Sequence, residues 1–313
     1  MSLSTAAVSI PLTCGEFIQG LYQGVPCLVS CPIDWYHAAE VSLLEAGCWS
    51  LPAEAGKTTA AIQKALQILP IPPTGGAVEL FSPAPKERGY GTSTADISAS
   101  LYALSSACGQ SFPPGMVAEL AVSIEPSDSS FFPGLHLFDH RQGTIIKPLG
   151  KPPPFPLIIL DPGGKINTRA FNQKDLLPLL EKLADRQEEI FELFLTGLKK
   201  REWQAVGKAA MESALAHQEI LFNPLLDRAV ELARETGALG VCRAHSGTII
   251  GIIYPPEKEQ IQDQLAIIRR QLPASVTCRP QRCVSGGPRY SLPENLRRPH
   301  ESRNPHRADS TTG

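Results

Sequence analysis

The sequence predicts an α+β fold in two domains, and three observations carry that expectation. Short apolar runs divided by Gly and Pro occupy the first fifty residues, as strands joined by tight turns do. Helical spacing then sets in, with Ile62, Ala65, Leu66 and Leu69 recurring at three and four. Finally, the prolines of 152–156 separate two stretches that each mix strand and helix signals. On this reading residues 1–155 form an N-terminal domain, 156–288 a C-terminal domain and 289–313 a tail.

The elements follow in order. Strands are expected at 8–12, 25–29 and 38–44, then a helix over 58–69 that Pro70, Pro72 and Pro73 stop. A brief strand at 78–81 leads through a basic, glycine-rich turn at 86–91 into a helix of small residues over 93–108. The apolar stretch 117–124 precedes a polar and aromatic loop at 125–134, and 135–138 pairs with 144–146 as short strands. Beyond the prolines, 157–160 is a buried strand and helices fill 173–236, with turns at Gly197 and Pro224. Strands at 239–243 and 248–254 flank a His245-Ser246-Gly247 turn, and a helix over 257–271 leads to a last strand at 275–278. From Arg289 onward five Arg meet three acids with almost nothing apolar, the composition of a disordered, solvated end.

Composition excludes several functions. The 313 residues carry 29 Lys+Arg against 31 Asp+Glu, a net charge of -2 that exerts no bulk pull on nucleic acid or an anionic membrane. No window reaches the roughly 18 consecutive apolar residues of a spanning helix, and the N-terminus lacks a basic region before an apolar run, so a cytoplasmic protein is expected. The eight cysteines stand singly without CxxC pairs, which argues for buried free thiols over structural zinc.

Four segments carry the chemistry. The first runs Lys86, Glu87, Arg88, Gly89, Tyr90, Gly91, Thr92, Ser93, Thr94, Ala95, Asp96. Its glycines let backbone approach a ligand, and the following helix presents free N–H groups to an anion, for which phosphate is the best fit. A capping box with Ser93 as N-cap and Asp96 three residues on explains fewer of these residues. Gly56-Lys57-Thr58 resembles the end of a Walker A motif, but Leu51 stands where that motif needs glycine. In the second segment Glu125 and Asp128 lie three apart, so that one carboxylate can hold a divalent cation while the other orients or deprotonates a hydroxyl; an ordinary Asp/Ser turn is the alternative. Asp139 and His140 follow. The third segment is Arg243-Ala244-His245-Ser246-Gly247-Thr248, a polar turn between apolar strands suited to phosphate or a substrate carboxylate, although His245 alone reads as structural. The fourth, 161–172, is a glycine loop with Lys165, Thr168 and Arg169, read as a substrate loop or a plain strand-to-helix connection.

Together with Cys14-Gly15-Glu16-Phe17-Ile18-Gln19-Gly20, and in this order, these segments resemble the GHMP kinases over residues 8–288, most closely the cobalamin-pathway L-threonine kinase branch. The first motif is shortened to 11–16 and the third lacks the usual glycine run; that branch shares both departures. The resemblance implies an N-terminal domain like ribosomal protein S5 domain 2 and a ferredoxin-like α/β C-terminal domain. It implies ATP on the loop 86–96, Mg2+ on Ser93 and Glu125, and catalysis by Ser93, Glu125 and Asp128. It assigns Glu16, Gln19, Thr168, Arg169, Arg243, His245 and Ser246 to the substrate, with Arg169, Arg243 and His245 as candidates for its carboxylate. The implied substrate is free L-threonine, with no nucleic-acid or membrane partner, and a homodimer is compatible with it. A homoserine or other small-alcohol kinase and a non-catalytic nucleotide-binding regulator are the rival readings.

Overall fold

The computed structural model describes residues 2–45, 47–164 and 175–293. Its first two strands, β1 (Ser2–Tyr22) and β2 (Val25–Leu44), form one long antiparallel hairpin. The turn is the two residues Gln23 and Gly24, both at positive φ (52° and 77°), the twist that suits a tight hairpin. Three short strands are expected here and two long ones are observed. The interior Gly and Pro residues do not end the strands because register shifts absorb them, between Pro11 and Thr13, Thr13 and Glu16, and Glu16 and Ile18.

There follow β3 (Trp49–Ser50), α1 (Gly56–Ile68), β4 (Gly75–Phe81), α2 (Thr92–Ala107), α3 (Pro114–Val122), β5 (Leu135–Asp139), β6 (Ile146–Gly150) and β7 (Pro156–Asp161). The apolar stretch at 117–124 is thus mostly helix, opened by Pro114 at its first position. The second half contains α4 (Leu177–Lys182), α5 (Ala184–Lys200), α6 (Trp203–Ala216), α7 (Leu226–Glu235), β8 (Gly240–Arg243), β9 (Ile250–Ile253), α8 (Gln262–Gln271) and β10 (Thr277–Arg282). Gly197 makes no turn. It lies inside α5, where a Cβ would come within 2.9 Å of the Ala205 Cβ, so its missing side chain lets α6 pack close. The helix expected over 257–271 begins only at Gln262, and the last strand runs on through Pro280, which an edge strand tolerates.

The strand order β10-β7-β9-β8-β1-β2-β4-β3 makes one continuous sheet, with β5 and β6 attached through β2. β1 meets β8 at a single register pair, Glu16 with Arg243. Alternation along the strands serves two cores. Leu157 and Ile159 face a large cluster that includes Phe17, Tyr102, Phe138 and Phe194, while Ile158 and Leu160 face a second with Val241, Ile252, Leu232 and Ile268.

α6 rests directly on β8. A Cβ on Gly240 would stand 2.0 Å from the Gly207 carbonyl oxygen. Gly240→Ala must push the helix off the sheet, and we expect it to lower the free energy of unfolding by about 3 kcal/mol in urea. A loss under about 1 kcal/mol would mean that the helix slides freely.

Candidate active site

The loop between β4 and α2 is held by backbone contacts to two remote segments. Gly89 (φ +99°) has no room for a Cβ, which would fall 2.2 Å from the Ala244 Cβ; one on Gly247 would fall 2.3 Å from the Arg88 oxygen. That oxygen accepts from the N–H groups of Thr248 and Ile249 at 2.9 and 3.1 Å, and the Tyr90 oxygen accepts from Thr13 N–H at 2.9 Å. The third segment therefore packs on the glycine loop.

Gly91, left-handed at φ +68°, is the N-cap of α2, and no side chain caps the helix. The N–H groups of Thr92, Ser93 and Thr94 begin the helix without intrahelical acceptors, and the helix dipole adds positive potential there. The capping box does not form. Ser93 donates its hydroxyl to Glu125, and Asp96 instead accepts from Ser82 at 2.7 Å and pairs with His37 Nδ1 at 2.8 Å.

In front of this helix end lies a cleft of about 540 Å³, walled by 54–58, 86–87, 89–94, Asp96, Glu125, Pro126, Asp128 and Ser246. Arg88 and Ala95 do not line it. The Arg88 guanidinium donates to Asp161 at 3.0 Å, as does the Tyr90 hydroxyl, while Ala95 is buried in α2.

The acidic side of the cleft presents Glu125 and Asp128, with a third carboxyl group, Glu16, buried next to Asp128. Glu125 accepts from Ser93 and from the Lys57 ammonium. Asp128 is positioned by its own N–H on Thr94 Oγ1 at 3.1 Å, and Gly91 leaves it space, since a Cβ there would be 2.4 Å from Asp128 Oδ2. Burial and the Glu125 charge push the Asp128 carboxyl up to about 6, against a hydrogen bond from Glu16 that lowers it. Glu16, nearly inaccessible in β1, is driven well above the carboxylate range, first by burial and then by the Asp128 charge. Glu16 thus keeps its proton. Hard oxygen donors from one or two carboxylates and a hydroxyl suit Mg2+, which takes its remaining ligands from water and phosphate, and the Lys57 ammonium already marks a cation position on Glu125.

The other expected substrate residues are split. Ser246 reaches the cleft. Gln19 Oε1 pairs with His245 Nδ1 at 2.6 Å, and the His245 ring lies against those of His140 and His217 at 4.9 and 5.3 Å. Burial lowers all three imidazoles, His140 to about 3, so they are neutral. Arg243 is fully buried and spends its two Nη groups on Gln218 Oε1 and the Leu221 oxygen, both at 2.8 Å. It braces the turn after α6 and does not line the cleft. Asp139 is likewise structural, accepting from Thr144 Oγ1 at 2.7 Å and from the N–H groups of its own turn. Thr168 and Arg169 lie outside the described residues. Sequence reasoning missed Lys57 and Thr58 as cleft residues: the failed Walker comparison hid a lysine at a helix start.

Models of the GHMP kinase family match both halves of the chain, the N-terminal domain over residues 55–132 and the C-terminal one over 194–273. L-threonine kinase from Salmonella typhimurium is 30% identical over 264 residues, 82% of this chain and 86% of that protein. The chain belongs to the GHMP kinase family. A homoserine kinase from Cytophaga hutchinsonii has a TM-score of 0.74 at 18% identity, over 92% of this chain and 98% of that one. A solved complex of MDDEF with MVAPP, AMPPCP and magnesium has a TM-score of 0.69 at 12% identity, over 91% and 98%. These neighbours share the GHMP kinase fold, and the α+β class read from the sequence is the one observed. Among the described residues no helix is long and apolar enough to cross a membrane.

Because the conformation of the loop before α2 depends on Gly89, Gly89→Ala should weaken binding of an ATP analogue at least about tenfold by calorimetry. Gly24→Ala, equally left-handed but with nothing within 4 Å, should leave the affinity unchanged. Equal losses in both variants would remove the loop from the nucleotide site.

Proposed function

We propose that this GHMP kinase transfers the γ-phosphoryl group of ATP to the side-chain hydroxyl of free L-threonine, giving O-phospho-L-threonine for the aminopropanol linker of cobalamin. The observation that carries the kinase reading is the uncapped N-terminus of α2, with Ser93 and Thr94, facing Glu125 and Asp128 across one cleft. The threonine assignment is supported by the 30% identity to an L-threonine kinase.

In this reading residues 1–155 form the ATP-binding domain, 156–288 the C-terminal domain, and the threonine lies near Glu16 and Ser246. The N–H groups of 92–94 and the Lys86 ammonium bind the polyphosphate. Ser93 and Glu125 would hold Mg2+, which neutralises phosphate charge when bound. Asp128 orients the threonine hydroxyl and takes its proton as the oxygen–phosphorus bond forms and the bond to the ADP oxygen breaks. Thr94 Oγ1 holds the Asp128 backbone in place, and the protonated Glu16 adds no second charge next to it. Gln19 and His245 form the adjoining wall, and the threonine carboxylate falls to groups other than the committed guanidinium of Arg243.

A coupled assay of ADP release should rank L-threonine above L-serine and L-homoserine. Homoserine in first place would favour the second reading, for which the homoserine kinase neighbour speaks. Glu125→Ala and Asp128→Ala should each cut kcat at least about 100-fold while ATP binding is largely kept, and unchanged turnover would exclude these residues from the chemistry.

The pH dependence follows from Asp128. A proton acceptor titrating at about 6 works when ionised, so kcat/KM should be flat above that pH and fall about tenfold per unit below it. A flat profile down to about pH 5 would show that Asp128 takes no proton.

A further inference from the structure

Lys57 stands in an unfavourable place for a lysine. It is the second residue of α1, at the positive end of a helix that has no capping side chain and no acid in its first turn. Its ammonium is offset by Glu125, which is nearly buried while the lysine is half exposed. The pairing is imposed from a distance: Lys64, two turns along the same face of α1, donates to Ser123 Oγ at 2.8 Å and to the Ser123 oxygen at 3.2 Å. That tether holds α1 against the segment that carries Glu125, so Lys57 sits over the carboxylate and inside the cleft.

Building on the kinase reading, we propose that Lys57 is the resident counter-ion of Glu125 and a phosphate-binding residue of the nucleotide complex. A carboxylate with one oxygen accepting from Ser93 and the other from Lys57 does not serve that ammonium and a divalent cation together, because the two positive charges repel at contact distance. A metal arriving with the nucleotide therefore displaces Lys57, and the flexible, half-exposed stem carries the freed ammonium onto phosphate oxygens at the same cleft wall. The lysine so keeps the nucleotide-free carboxylate from standing uncompensated, and it selects for metal that arrives together with phosphate.

The test is a pair of equilibrium constants with opposite expected signs, measured on the full chain without an acceptor substrate. In Lys57→Ala, binding of Mn2+ alone, followed by electron paramagnetic resonance, should tighten about threefold because its competitor is gone. Binding of ADP with Mg2+, measured by calorimetry, should weaken about tenfold in the same variant. Lys57→Arg should restore both toward wild type. A merely structural lysine would move both constants in one direction or neither, and either result overturns the proposal, as does tighter Mn2+ binding with unchanged ADP affinity. Because no acceptor is present, these outcomes are independent of whether threonine is the substrate; absence of threonine-dependent ADP release in the wild type would sink that assignment alone.

Discussion

Close backbone contact among loops far apart in the chain is the constraint on which the cleft depends. Gly15 presses on the Arg243 carbonyl, Gly89 on Ala244 and Gly247 on the Arg88 carbonyl, each at a distance that a Cβ would forbid. Two of these glycines, 15 and 89, also adopt left-handed φ values that other residues rarely accept. The bulged part of β1 is thereby joined to β8 and to the glycine loop by backbone contacts, and side-chain bonds at Ser93 and Thr94 set the N-terminus of α2 against Glu125 and Asp128. Donors held this way need no reorganisation when an anion arrives.

The charges follow from that geometry. The cleft sets Asp128 and Glu125 against the positive helix end, with Lys57 and Lys86 on its walls and Glu16 buried next to Asp128. The deeper groups are silenced. Glu16 keeps its proton, the three histidines are neutral, and the buried Arg243 gives both Nη groups to neutral oxygens. Ionic chemistry is confined to the part of the site that a metal and a polyphosphate would occupy, where charge is compensated by the ligand.

Much of this was legible in the residues, and the failures have physical causes. Helical spacing placed α1, and the glycine turn opening onto small residues placed α2, each to within a residue or two, and Gly89, Gly91, Ser93, Glu125 and Asp128 do converge on one cleft. Gly and Pro misled where a bulge or a close helix contact used them: β1 and β2 continue through them, and Gly197 lies in a helix. Asp96 looked like a cap because capping is a local pattern, but His37, nearly sixty residues earlier, claims its carboxylate. Six of the eight cysteines are buried as expected, while Cys48 is exposed and Cys108 partly so. Spacing alone did not announce that Cys14 and Cys242 sit together beneath Gly251.

The amino-acid order alone dictated the local conformations, namely strand and helix periods, the left-handed glycines and the glycine loop opening onto a helix, because each arises from sterics and hydrogen bonding within a few residues. Partners were settled only in three dimensions: Glu16 under Asp128, Arg88 on Asp161, Arg243 on the turn after α6 and Lys57 on Glu125. Each of those pairs links segments from about twenty to more than a hundred residues apart. Which charge is paired, protonated or left for a ligand depends on burial and distance across the fold, and neither quantity is a property of a short stretch of chain.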